Sequence, residues 1–478
     1  MCRKNYFFTT FMVGLCCLWL NSCAPKIPER MELVIISFND IHGNFDYLPQ
    51  FSAFVKETRA KYEHVIVANA GDWFNGNPYN DLYDPTQFPI TDLLNHIGVD
   101  VSVLGNHEFD YGVKVLNDRI KELNGAVISA NTRLKGSGLR GVKPYHIIRK
   151  NGIRIAFLGL TNVDRLTGIP AVLSSRVEGM HFYEPVGKAT KYRHLAEKSH
   201  VFVALTHIGL NHDRTLADTM PYIDLIISGH SHSILEQPVW INDVMIIQAE
   251  RFAARVGKTK ILLVDGHVME ITNELIDFRN WDGPVDSAIV EKIKKYEGDL
   301  RFEQPFVSLQ YEIQNSEQMT KMITDAALAM TEADFSIVNL AAAKVRHFPA
   351  GPITYGDILR LSPSNNELML VKLKPADIRE FLEQKIEFMT PSGFTYTARR
   401  TPQGPRDIKM VLPNGEVVDE NKFYYLAVDS FLFSRYLRKH SEQSTETGIS
   451  VVDNIMEFMK NNPDMDYRNS PRRTMPTN

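Results

Sequence analysis

From Leu33 onward the chain alternates short apolar, β-branched runs with amphipathic stretches. Leu33–Phe38, Val65–Ala68, Val101–Leu104, Val127–Ser129, Ile153–Leu158, Val201–Leu205, Asp224–Ile227 and Val244–Ile247 have the length and composition of strands buried on both faces. Helical periodicity falls between several of them, over Leu48–Tyr62, Val113–Leu123 and Pro185–Lys198. Lys150-Asn151-Gly152 reads as a hairpin turn. Together these elements predict a layered α/β domain with mixed sheets over residues 31–280. Asp282-Gly283-Pro284 breaks the pattern, and a charged helical stretch follows over Val285–Leu300. Residues 281–305 are therefore expected to form an interdomain helix or linker, and 306–478 a second, smaller α/β (α+β) domain.

The turns beyond these strands carry the chemistry. The first run leads into Asp40-Ile41-His42, the second into Gly71-Asp72, and the third into Gly105-Asn106-His107-Glu108-Phe109-Asp110. Val201–Leu205 leads to His207, and Asp224–Ile227 to Gly229-His230-Ser231-His232. Open α/β sheets gather their sites past strand carboxyl ends, where glycines permit tight turns. One Asp-x-His or Gly-Asp is ordinarily a turn or a cap. Five of the fifteen histidines fall in these turns, however, and that recurrence points to a shared site. Imidazole with carboxylate and no thiolate suits zinc, manganese or iron.

Length and charge narrow the picture further. A chain of 478 residues is too long for one ordinary core, which supports the two-domain division. A net charge of -4 provides no electrostatic track for a nucleic-acid polymer. All four cysteines lie in the first 23 residues, around the apolar run from Phe7 to Leu20. That run is short for a membrane span, and Leu20-Asn21-Ser22-Cys23 resembles the lipobox of bacterial lipoproteins. The resemblance implies a signal peptide over 1–22, lipidation of Cys23, and a tether over 23–30. It implies a membrane-anchored protein on the periplasmic face of the outer membrane, with the cell surface as the alternative.

Asp-x-His, Gly-Asp, Gly-Asn-His-Glu-x-Asp, a strand-ending His and Gly-His-Ser-His together resemble the calcineurin-like metallophosphoesterases. With Ser129-Ala130-Asn131 and a carboxyl-terminal domain, the set is similar to the secreted 5′-nucleotidase family. The resemblance implies an αββα sandwich followed by a 5′-nucleotidase-type domain, and two divalent metal ions (Zn, Mn or Fe). Asp40, His42 and His232 would hold one metal, Asn106, His207 and His230 the other, and Asp72 would bridge them. His107 would steady charge developing on the phosphate, oriented by Asp110, and Asn106 would also touch substrate. Glu108 is expected to be a solvated turn residue without a role.

In the second domain the likeness loosens. Gly351–Ile358 and Ser392-Gly393-Phe394 follow the family pattern. The family's Arg-bearing turn reads Asn339-Leu340-Ala341-Ala342-Ala343-Lys344, with Arg346 beyond, and its Pro-Phe-x-Asn reads Pro363-Ser364-Asn365-Asn366. No Gly-Gly-Asp-Gly-Phe comes after Phe431-Leu432-Phe433. Asn339, Lys344, Arg346 and Asn366 remain candidates for an anionic or sugar group, ordinary surface polarity being the alternative. The base-stacking aromatics are missing unless Phe433 or Tyr436 replaces them. The expected activity is a phosphomonoesterase acting on a small phosphorylated substrate, nucleotides by default, in a monomeric protein. A non-nucleotide phosphate ester or phosphodiester is the first alternative, and a non-catalytic binding lipoprotein the second.

Overall fold

A computed structural model describes residues 27–298, 302–362, 366–385, 389–401, 404–439 and 443–468. The signal peptide, Cys23 and the turn residues Pro363, Ser364 and Asn365 lie outside the described residues.

The first domain is a four-layer α/β sandwich. One sheet holds β1 (Arg30–Phe38), β2 (Val65–Asn69), β3 (Val101–Val103), β4 (Ala126–Ile128) and β5 (Val142–Lys143), all parallel. The facing sheet holds β6 (Tyr145–Lys150), β7 (Ile153–Thr161), β8 (Val201–His207), β9 (Leu225–Ile227), β10 (Val239–Ile241) and β11 (Val244–Ile247), in the order β10-β11-β9-β8-β7-β6. An antiparallel pair, β12 (Arg255–Val264) and β13 (His267–Asp277), extends the first sheet beside β1.

The uninterrupted apolar runs are explained by burial on both faces. In β1, Leu33 and Ile35 point between the sheets and meet the cluster containing Ile66, Val103, Phe157 and Leu205. Val34, Ile36 and Phe38 point the other way, towards the helices Leu48–Lys61, Phe88–Ile97 and Gly112–Glu122. Beyond the second sheet, Leu195, Leu216 and Ala217 close the fourth layer. At the predicted hairpin, Asn151 and Gly152 take φ of 44° and 81° between paired Lys150 and Ile153, the two left-handed residues that a tight hairpin requires. The helical stretch expected over Pro185–Lys198 is broken into Pro185–Ala189, a 3-10 turn over Thr190–Tyr192, and His194–Lys198.

The helix within the 281–305 stretch spans Ser287–Glu297 and packs on the first domain, with Ile289 and Tyr296 in that domain's core. The second domain has a five-stranded sheet of β15 (Phe335–Asn339), β17 (Glu367–Leu373), β18 (Met389–Ser392), β21 (Tyr424–Asp429) and β22 (Gln443–Ser450), ordered β18-β15-β21-β17-β22. Helices Ser316–Ala329 and Val451–Asn461 cover one face. The other face is covered by helix Pro375–Lys385 and the hairpin of β19 (Thr395–Thr401) and β20 (Gly404–Val411). The family-like Gly351–Ile358 segment is a short strand, β16 (Gly351–Thr354), paired with β14 (Pro305–Leu309) and running into a helix. Thr354 and Asp357 form a capping box there, which is why Thr and Asp recur at that spacing.

The two domains meet at defined contacts. Arg176 pairs with Glu367, and the Ser174 and Ser175 hydroxyls donate to Glu446 at 3.1 and 2.7 Å. The Tyr79 ring lies edge-on to Phe302 with centroids 4.9 Å apart.

Asp286 fastens the 287–297 helix to the sandwich. One carboxylate oxygen accepts from Ala288 N at 3.2 Å and caps the helix. The other accepts from Ser52 Oγ at 2.6 Å and meets Lys56 Nζ at 2.6 Å and His96 Nε2 at 2.9 Å. Burial opposes ionisation, but Lys56, Ser52 and His96 outweigh it and hold the carboxyl below the usual range. A depressed carboxyl contributes stability above its unfolded pKa, and that contribution fades as pH falls. Asp286→Ala should cost about 1–3 kcal/mol near neutral pH in urea unfolding. The gap from wild type should narrow below pH about 4, and a gap independent of pH would contradict this account.

Candidate metal centre

The turns after β1, β2, β3 and β9 and the carboxyl end of β8, whose last residue is His207, converge at one end of the sandwich. Asp40, His42, Asp72, His230 and His232 all take left-handed backbone, with φ of 52°, 51°, 53°, 76° and 52°. Non-glycine residues adopt that region at a cost of about 1–2 kcal/mol each, and such strain concentrates at functional sites. The adjoining glycines serve mainly as clearance. A Cβ on Gly105 would lie 2.2 Å from Asp72 Oδ1, and one on Gly229 would lie 2.8 Å from His207 Nδ1.

Seven side chains expected as ligands, together with His107 and Asp110, are brought into this one place. His232 Nε2 lies 3.2 Å from Asp40 Oδ1 and 3.1 Å from His42 Nε2. On the other side, His207 Nε2 lies 2.9 Å from Asp72 Oδ2, and His230 Nδ1 lies 3.0 Å from Asn106 Oδ1. Asp40–His42–His232 and Asp72–His207–His230 each have donor atoms close enough to share a cation. Asp72 also joins a third such group, with His42 and His107, so its carboxylate stands between the two halves.

The charge state suits cation binding. Burial, and then the charge of His107, pushes His42 down to about 3; burial and His207 push His230 down to about 4. Both imidazoles therefore keep a lone pair at neutral pH. Burial opposes ionisation of Asp40 and Asp72, yet the surrounding imidazoles hold both below the ordinary carboxylate value. His207 donates from Nδ1 to the Ala70 carbonyl at 2.7 Å, which turns Nε2 towards the carboxylates. That fully buried nitrogen makes no well-directed hydrogen bond among the described residues, although Asp72 Oδ2 lies 2.9 Å away. A buried imidazole nitrogen set 2.9 Å from Asp72 and 3.9 Å from Asp40, both ionised, is a donor set that a divalent cation would satisfy, so the residues fit the expected group.

His107 stands apart in character. Burial works against its charge, but Asp110 and Asp72 outweigh burial and push it up to about 10. Its Nδ1 meets Asp110 Oδ2 at 2.6 Å, and its backbone N–H donates to Asp72 Oδ1 at 2.9 Å. Asn75, which the sequence reading passed over, donates its amide to the same Asp110 oxygen from a left-handed position, φ 61°. Asn39 does likewise for Asp40, at 2.6 Å.

Glu108 corrects the sequence reading. It is fully buried rather than solvated. Its Oε1 accepts from the N–H groups of Trp73 (2.8 Å) and Phe74 (3.2 Å), and its Oε2 from those of Asp72 (3.0 Å) and Gly105 (2.6 Å). One carboxylate thus ties the turn after β2 to the turn after β3. Burial, and next the neighbouring Asp72, raises its pKa to about 7. Its sequence neighbour Phe109 is equally buried, the one hint that this turn faces inward.

The second-domain candidates are spread over separate elements. Asn339 ends β15, and Lys344 and Arg346 are exposed beyond the 3-10 turn that succeeds it. Asn366 accepts from Ser430 Oγ at 3.4 Å beside β17. Phe433 lies in the domain core, 4% exposed, and Tyr436 packs against Phe381, so neither aromatic is presented as a free stacking face.

Residues 33–233 match the calcineurin-like phosphoesterase family, and residues 298–436 match the 5′-nucleotidase C-terminal domain. The chain belongs to the calcineurin-like phosphoesterases that carry a 5′-nucleotidase C-terminal domain. It is 27% identical to a 5′-nucleotidase of Vibrio cholerae, over 76% of this chain and 78% of that one. It is 25% identical over 94% of its length to Endonuclease YhcR of Bacillus subtilis, of which it covers 40%. It covers 32% of a second Bacillus subtilis relative, the trifunctional nucleotide phosphoesterase protein YfkN, at 26% identity. The crystal structure of a 5′-nucleotidase precursor from Thermus thermophilus shares the fold, with a TM-score of 0.72, 22% identity, and 91% and 97% of the two chains covered.

The Glu108 bridge makes a direct prediction for this phosphoesterase-family domain. Glu108→Ala strands four backbone amides, and Glu108→Gln turns a donor group onto two of them. Each stranded amide costs about 1–3 kcal/mol, so both variants should lose several kcal/mol in urea unfolding. A Glu108→Gln protein as stable as wild type would show that the bridge does not hold the two turns together.

Proposed function

We propose that this protein is a two-metal phosphoester hydrolase that releases phosphate from small esters, nucleotides being the default substrate. The observation that carries the reading is the convergence of Asp40, His42, Asp72, Asn106, His207, His230 and His232 beside a charged His107. Family membership agrees with it.

Asp40, His42 and His232 would hold one metal and Asn106, His207 and His230 the other, with Asp72 between them. Bound there, such a pair supplies Lewis acidity and an activated water for in-line displacement at phosphorus. The chain's own part is orientation and charge. Asn39 and the Ala70 carbonyl fix the rotamers of Asp40 and His207. His107, held charged by Asp110, presents its Nε2–H to a phosphate oxygen and stabilises the charge that accumulates there. Asp110 is itself steadied by Asn75, so the imidazolium keeps its direction as the ester breaks.

A second reading keeps this chemistry and replaces the nucleotide with another small phosphate ester. The burial of Phe433 and the packing of Tyr436 favour it, because the usual aromatic clamp has no replacement at those positions. Lipidation at Cys23 and a periplasmic placement belong to the proposal as well, on the strength of Leu20-Asn21-Ser22-Cys23.

Protein loaded with manganese or zinc should release phosphate from at least one of AMP, a cyclic nucleotide and an aryl phosphate. Silence on a broad ester screen would remove the reading. His107→Ala should lower kcat by about 10²–10⁴ while metal content stays unchanged. Wild-type rates in that variant would overturn the role given to His107. For the anchor, Cys23→Ser should abolish incorporation of labelled palmitate and release the protein from membranes; retained label would exclude Cys23 as the acceptor.

A further inference from the structure

The segment after Gln248 is sharply bent. Glu250, Phe252 and Ala253 all take left-handed backbone, with φ of 74°, 65° and 51°. Three such residues in four positions persist only where their surroundings dictate them. Asn39 clamps the segment, accepting from Ala249 N at 3.0 Å and donating to the Glu250 carbonyl. Glu250 N donates to Ser233 O at 3.1 Å, and Phe252 N donates to Asp40 O at 2.8 Å. The strained segment is thus anchored to residues that are, or adjoin, candidate metal ligands.

Its effect is to set Phe252 edge-on to His42, ring centroids 6.1 Å apart, with the Arg251 guanidinium 4.6 Å over the Phe252 ring. Arg251 is exposed and, among the described residues, has no carboxylate partner. The adjacent carboxylate of Glu250 faces away, towards Arg279 at 3.5 Å and Arg255 at 3.8 Å. Lys344 of the second domain is likewise exposed and without an ion pair among the described residues. Partial burial, and then the charge of Arg251, holds the Lys344 ammonium below its ordinary value. An exposed guanidinium without a carboxylate partner, set beside a candidate ligand, is free to pair with an anion of the substrate.

We infer that Arg251, seated on Phe252 beside His42, is a specificity-determining residue that receives a second anionic group of the substrate. The substrate class is then a phosphate ester bearing a further phosphate or carboxylate close to the scissile one. This rests on the hydrolase reading above and goes further, since that reading leaves the remainder of the substrate undefined.

The test compares wild type, Arg251→Ala and Arg251→Lys as full-length, metal-loaded proteins of matched thermal stability. Hydrolysis of adenosine 3′,5′-bisphosphate (second phosphate), 3-phosphoglycerate (carboxylate) and p-nitrophenyl phosphate (no second anion) is measured. Arg251→Ala should raise KM about tenfold or more for at least one doubly anionic ester, with kcat and p-nitrophenyl phosphate turnover little changed. Arg251→Lys should recover part of that loss. Whichever of adenosine 3′,5′-bisphosphate and 3-phosphoglycerate carries the effect identifies the second group. Equal effects on all three esters, or none on any, overturn the inference and leave the hydrolase reading intact. A calorimetric titration separates the opposite case, with methylenediphosphonate and phenylphosphonate as non-hydrolysable probes. Weaker binding of methylenediphosphonate alone by Arg251→Ala supports the anion site even if no ester is turned over. Unchanged binding of both probes, or no binding of methylenediphosphonate by wild type, overturns it.

Discussion

The geometry of the centre depends on the Glu108 carboxylate. Asp72 and Asn106 lie past the ends of neighbouring parallel strands, and nothing in strand pairing alone fixes how the loops beyond those ends sit together. Glu108 fixes them by accepting four backbone N–H groups, three from the Asp72 turn and one from Gly105. A buried carboxylate so fully satisfied tolerates the loss of water that an unpaired one would not. Because the same turn carries Asn106 and His107, positioning the bridging carboxylate also positions an amide oxygen and a charged imidazole. The two glycines at this junction, Gly71 and Gly105, leave no room for a side chain between Asp72 and His207.

Held this way, the centre concentrates more negative charge than its own imidazoles neutralise at low cost. Asp40 and Asp72 are almost fully buried and ionised, while His42 and His230 stay neutral. His207 is driven up to about 9 against burial, and the carboxylates are what drive it. A proton at this imidazole does part of the work that a divalent cation would do for the whole cluster. The left-handed backbone at five of the ligand positions is a second stored cost, and a bound cation would offset both together.

Much of this was legible in the sequence, for a physical reason. Strands buried on both faces are written as unbroken apolar runs, so their ends are conspicuous, and Asp40, Asp72, Asn106, His207 and His230 stand just past five such ends. The left-handed turns that aim them were not legible. Local rules assign φ above zero to glycine, whereas here Asp40, His42 and His232 adopt it because the tertiary setting compels them. Glu108 was misread for a related reason: a charged residue in a polar turn is ordinarily solvated, and only the convergence of two loops buries it. Asn39, Asn75 and Arg251 were missed because their roles arise from contacts with residues remote in sequence, such as Asn39 with Ala249.

The same contrast explains why chemistry and selectivity part company in this chain. Every group that would hold metal or steady the phosphate comes from loops fixed by the sandwich core, where one misplaced side chain meets packed backbone. The second domain obeys a different constraint. Phe433 comes directly after the short helical turn Ser430–Leu432, and Phe433, Leu432 and Leu437 all point inward to fill the core formed with Phe381 and Val428. An aromatic committed to that core cannot also stack on a ligand, because withdrawing it would open a cavity costing about 3–5 kcal/mol. Selectivity therefore has to come from side chains that the core does not claim. Arg251 is one, carried by the catalytic domain itself and held at the rim by the backbone of Asp40 and the side chain of Asn39. Substrate choice in this chain is then tied to the metal-ligand turns and does not depend on the second domain alone.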